Sequence, residues 1–143
     1  MKRQQLRRYA FLIVFGMSVS KDSPDEAMEN YLDSFKDDYL KEDGEFRAKD
    51  LEFVKNIVHG VYENREKIDE VISNYSKGYE ISRISRVALA ALRISVFEIL
   101  FCEDIPHGVS VNEAIEIVKA YEDDKTRKFV NGILGSFVAE INK

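Results

Sequence analysis

A stripe of guanidinium groups and aromatic rings opens this chain, and its chemistry is that of recognising a phosphate backbone with unstacked bases. Arg3, Arg7, Phe11 and Phe15 follow one another at steps of four, with Arg8 beside them. Steps of four lie along one side of a helix. Cations on such a side hold phosphate, and rings on it stack against bases freed from pairing. Phe11 reads as core instead, while Phe15 suits either core or contact.

Other reactive side chains are isolated. His59 has no second histidine or cysteine at metal-ligand spacing, and His107 sits in a Pro-Gly segment, so each reads as a surface or edge residue. Cys102 is the single cysteine, which excludes an intramolecular disulfide; its apolar surroundings point to a buried thiol. Glu113 and Glu116 share a helix side, but nothing nearby supports a paired-carboxylate hydrolase. Phosphate loop, dinucleotide fingerprint and nucleophile elbow are all missing. A binding protein without catalysis, metal or cofactor is the expectation.

Net charge is −5, which superficially disfavours a nucleic-acid partner. Its distribution says otherwise. Residues 1–21 carry five bases (Lys2, Arg3, Arg7, Arg8, Lys21) and no acid, whereas residues 22–52 carry twelve acids against four bases. A local basic patch governs phosphate binding more than the total does. A solvated basic tail is the plainer account of the same cluster. No signal peptide or membrane span is evident, and the cytoplasm is the simplest setting.

The elements that must position these residues are helical. With 143 residues, two prolines and seven glycines, the chain has the length of one domain and little punctuation. Apolar residues at helical spacing predict a first helix over Gln4 to Val19. Ser23-Pro24-Asp25-Glu26 is a capping box that starts a second, through Ala27, Tyr31, Phe35 and Tyr39, ended by Gly44. A third runs from Arg47 to Tyr62 and a fourth from Asn64 to Tyr75. Ser76-Lys77-Gly78 breaks the pattern, and Ile84 to Cys102 is apolar on most sides, as in a central helix. Ser110-Val111-Asn112-Glu113 reads as a second capping box. A last helix begins near Lys125 and carries Asn131 and Gly132, a turn-forming pair, inside its apolar repeat. The sum is an all-α domain of about seven helices.

The run IPHGVSVNEAIEIVK followed by KFVNGIL, with LRISVFEIL before it and the arginine-rich opening, resembles the NusB family of bacterial transcription antitermination factors. The resemblance covers nearly the whole chain and is most specific in the first two runs. It implies a single RNA-binding domain, residues 1–143, of two helical subdomains: three helices over about residues 1–62, then four over 63–143. It implies binding of the boxA element of ribosomal RNA leaders, as a single strand, together with the small-subunit ribosomal protein NusE, on the elongating polymerase. It also implies a cytoplasmic, bacterial and non-enzymatic protein.

Carried over to this sequence, the RNA surface takes Lys2, Arg3, Arg7, Arg8 and Phe15 from the first helix. From the last it takes Lys125, Arg127, Lys128 and Phe129, the ring serving as core with an exposed edge. Asn131 and Gly132 take an architectural role, Gly132 admitting a neighbouring helix. Two departures stand out. Ala88-Leu89 replaces an acidic and a basic or polar residue that contribute to the family's NusE interface, so the partner contact is expected either to be rebuilt around Glu80, Arg83 and Arg86 or to be weaker. Tyr79 stands where many relatives have Trp. The family's domain also occurs fused to an RNA methyltransferase; the end at Lys143 favours the stand-alone factor. Two other readings remain open: a protein-interaction module using the acidic 22–52 segment, and a homodimer that buries the RNA surface.

Overall fold

Apolar positions at helical spacing become helices throughout. The computed structural model describes the backbone of residues 2–41 and 48–143, and the side chains of 2–32 and 48–143. Among the described residues the regular structure is helix alone: α1 (Arg3–Ser20), α2 (Pro24–Lys41), α3 (Ala48–Glu63), α4 (Arg65–Tyr75), α5 (Arg86–Phe101), α6 (His107–Tyr121) and α7 (Asp124–Ile141), with one 3₁₀ turn, Ile81–Arg83. The inward positions expected at Phe35 and Tyr39, the stop at Gly44 and the start at Arg47 lie outside the described residues. The chain divides into two compact units, Met1–Tyr62 and Glu63–Lys143.

In the first unit, α1 buries Leu6, Ala10, Phe11, Ile13 and Val14. It ends at Lys21, whose left-handed backbone (φ 66°) returns its N–H to the Met17 carbonyl. The capping box at α2 forms as expected: Ser23 Oγ accepts the Glu26 N–H at 3.3 Å, and the Glu26 carboxylate accepts the Ser23 N–H at 3.3 Å. Each bond satisfies an amide that a helix start leaves open. Tyr9 and Tyr31 meet edge-on at 6.0 Å between α1 and α2. His59 Nε2 lies 2.9 Å from Asp25 Oδ1, tying α3 to the start of α2.

The second unit is organised by α5, which packs against α4, α6 and α7 and buries eleven of its sixteen residues. Its start is fixed by Ser85, which accepts the Ala88 N–H at 3.1 Å. The preceding break holds Gly78 at φ +88°, a conformation that glycine adopts without steric cost. Arg93 grips Asp69 with two bonds of 2.9 Å, joining α5 to α4. Tyr75 and Phe137 meet at 5.6 Å between α4 and α7.

Three sequence expectations are corrected here. Ser110 does not cap a helix. The Pro106 carbonyl already accepts the N–H groups of Val109 and Ser110, at 3.0 and 3.3 Å, so α6 starts four residues earlier than a Ser110 cap would set it. Pro106 holds the N-cap position with an extended backbone (φ −58°, ψ 139°) and no side-chain cap. Ser110 is buried, and its carbonyl accepts Ser95 Oγ from α5 at 3.1 Å. His107 is accordingly the first helical residue, not a loop residue. Cys102, expected to be buried, is only half-buried at the end of α5.

Candidate nucleic-acid interface

On α1 the expected stripe divides. Lys2, Arg3 and Arg8 are exposed, but Arg7 is 4% exposed and Phe11 is 2% exposed. Arg7 is therefore corrected from an open contact residue to a buried one. Both Arg3 and Arg7 meet Phe53 on α3, a ring outside the expected stripe. The guanidinium of Arg3 lies 5.2 Å from its centroid and that of Arg7 lies 5.7 Å. An aromatic ring face attracts a cation, most strongly where water is excluded. Arg7 meets this ring from a buried position and Arg3 from an exposed one. Phe15 is half-buried and stacks on Phe11 at 6.2 Å, leaving part of the ring accessible. Phe53 could have been found as an aromatic between the inward positions Leu51 and Val54, but its pairing with arginines required the fold.

On the second unit the expected basic residues surround the start of α7. Lys125 and Lys128 are exposed. Arg127 is half-buried and lies 3.5 Å from Asp124. One N-terminal amide of this helix is already taken. Asp123 Oδ1 accepts the Thr126 N–H at 2.9 Å, and that bond, with help from Lys125, holds the Asp123 carboxyl below the ordinary aspartate range.

Phe129 is half-buried and its ring lies 5.2 Å from that of Tyr79, which is 51% exposed. The two rings border a groove of about 260 Å³, together with Arg83, Ile84, Ala88 and Lys125. Arg83 thus stands with the basic end of α7. Glu80 and Arg86, assigned with it to a partner contact, are exposed at the 3₁₀ turn and the start of α5 and do not line the groove. Ala88 and Leu89 are both buried.

The last pair is corrected outright. Asn131 and Gly132 lie on the exposed side of α7, and no atom comes within 4 Å of the place a Cβ on Gly132 would occupy. Gly132 is not a close-approach device. An α-helix tolerates an interior glycine as long as its other side is packed, and Val130, Ile133 and Leu134 supply that packing.

Among the described residues no cluster of three or more His, Cys, Asp or Glu could hold a metal ion, and no helix is long and apolar enough to cross a membrane. Fold and surface define an all-helical protein that carries cations beside aromatic rings on each of two units. The chain belongs to the NusB family, whose pattern matches residues 4–139. It is 37% identical over 143 residues to the transcription antitermination protein NusB of a Clostridium botulinum strain, covering 96% of this chain and all of that protein. Among solved structures it is similar to T. maritima NusB, with a TM-score of 0.85 and 31% identity over 98% of this chain and 92% of that one. It is also similar to a chain from a complex of the antitermination factors NusB and NusE with double-stranded RNA, with a TM-score of 0.82 and 26% identity over 96% of each chain.

Proposed function

We propose that this protein is a transcription antitermination factor that binds boxA-like RNA of ribosomal RNA leaders together with NusE and joins the elongating polymerase in the bacterial cytoplasm. It acts by binding and catalyses no reaction. The observation that carries this reading is the presence of exposed cations beside aromatic rings, on α1 and at the start of α7, in a chain that matches the NusB family over residues 4–139. Lys2, Arg3 and Arg8 hold phosphate on the first unit, and Lys125 and Lys128 do so on the second. Phe15 and Phe129 offer ring surface to bases. Arg7 is buried and stands outside this set of phosphate contacts. A relative was solved with NusE and double-stranded RNA, which supports the choice of both partners.

Fluorescence anisotropy with a boxA-like single strand, the same RNA as a duplex and a scrambled strand, each with and without NusE, tests the proposal. Binding is expected to prefer boxA, to tighten with NusE and to weaken with salt as bound cations release counterions. Charge reversal at Arg3 and Arg8 should remove it while the helical circular-dichroism signal stays unchanged. Equal affinity for boxA and scrambled RNA would sink the proposal.

A further inference from the structure

We propose that the groove between Tyr79 and Phe129 seats one unstacked nucleotide of the bound RNA, with Tyr79 as the stacking ring and Arg83 and Lys125 on its flanking phosphates. The inference rests on the RNA-binding reading above and extends it to two residues, Tyr79 and Arg83, otherwise without an RNA role.

Size is the first argument. The groove's 260 Å³ falls below the roughly 300 Å³ at which sites for free small molecules begin. It suits one unit of a polymer that is held elsewhere as well. Its walls are the second argument. Tyr79 leaves half its surface in water although its ring lies 5.2 Å from Phe129, so a flat partner can add to the pair without displacing core. Ile84 and Ala88, both buried, lie beneath the groove and leave its open surface to the rings and the cations.

Charge is the third argument, and it selects the occupant. Four carboxylates lie close by in sequence; Glu80 is exposed and does not line the groove, and the other three are engaged. Glu122 accepts Ser85 Oγ at 2.8 Å, Asp123 caps Thr126, and Asp124 lies by Arg127. Arg83 and Lys125 both line the groove, and among the described residues neither forms an ion pair. Two cations beside two rings fit a nucleotide, whose phosphate and base need one of each; Arg83 has no carboxylate partner among the described residues, and Lys125 feels only the nearby Asp123. A neutral or acidic-peptide side chain would use only half of the arrangement.

The test uses the full chain and a boxA-like single-stranded RNA, scanned with a single abasic site at each position. One abasic position is expected to cost the wild type about tenfold in affinity, within the range for a base stacked on a ring. Tyr79→Ala should lose about the same on intact RNA, and nothing further on that abasic RNA; Tyr79→Trp should restore binding. Arg83→Gln should lower the log–log salt slope by about one, a readout that holds even should Tyr79→Ala fold poorly. The proposal falls if Tyr79→Ala binds intact RNA like wild type, or if its loss adds in full to that of every abasic RNA. If wild type binds none of these RNAs, the RNA-binding reading fails and this site with it, an outcome distinct from the first two.

Discussion

The Arg3 guanidinium lies 5.2 Å from the centroid of the Phe53 ring, and Arg7 shares the same ring from its buried position. One exposed cation is thereby held on a platform instead of sampling water freely. A cation held in place loses less freedom when it meets phosphate, so the ring contributes to affinity without touching RNA. Phe53→Leu keeps an apolar side chain but removes the ring face. It is expected to weaken boxA binding about three- to fivefold, as loss of a cation–π contact near the surface implies. Phe53→Tyr should bind like wild type. Anisotropy titrations at one salt concentration measure both, and unchanged affinity in Phe53→Leu would mean that Arg3 needs no platform.

Gly132 presents the opposite case, a residue whose unusual placement has no partner in the fold. Its Cβ position is open, and the helix around it is regular. Alanine there restricts the unfolded chain without meeting any neighbour, so Gly132→Ala should raise stability by about 0.5–1 kcal/mol. Urea melts followed by circular dichroism give the value. A fall in stability would restore the idea that another helix needs this gap.

Helix existence was legible because it depends on the spacing of apolar residues, which the chain writes plainly from Leu6 to Phe137. Helix starts were legible only where a side chain does the capping. Ser23 could be read because its hydroxyl and Glu26 form the cap together. Pro106 carries no such signature, because it stands at the N-cap of α6 without a capping side chain, and the polar pattern points to Ser110 instead. At the candidate site, residue types were legible but exposure was not. Arg3 and Arg7 are one turn apart on the same side of α1 and both meet Phe53, about fifty residues away, yet one is exposed and the other buried, a difference that spacing does not carry. Likewise, nothing in the spacing of Arg83 and Lys125 says that they border one groove.

The Arg93–Asp69 pair should behave as a unit. Both side chains are mostly buried, at 21% and 29% exposure, and two parallel bonds of 2.9 Å satisfy them. Removing one partner strands the other's charge in a half-buried place. Arg93→Met or Asp69→Leu alone is therefore expected to cost about 2 kcal/mol. The double variant should cost clearly less than the sum, since apolar replacement of both ends leaves no stranded charge. Additive losses in urea melts would show that the bond contributes little and that each side chain acts through packing alone.

Acid should release the cap of α7. Asp123 accepts the Thr126 N–H in the folded chain, and that bond lowers its proton affinity below that of the unfolded chain. The sign follows directly: a depressed folded pKa gives stability that is present above the unfolded value, about 3.9 for aspartate, and that fades as pH falls through the folded one. Comparison with Asp123→Asn isolates this effect, because asparagine caps a helix about as well but does not titrate. Every other carboxylate is common to both chains and cancels. Wild type should thus lose ground to Asp123→Asn as pH is lowered from about 5 towards 2, the interval over which depressed carboxylates take up protons. Urea midpoints for the two chains, measured across that interval, are expected to converge or cross towards acid. A gap that stays constant would mean that the carboxylate's charge plays no part in the cap.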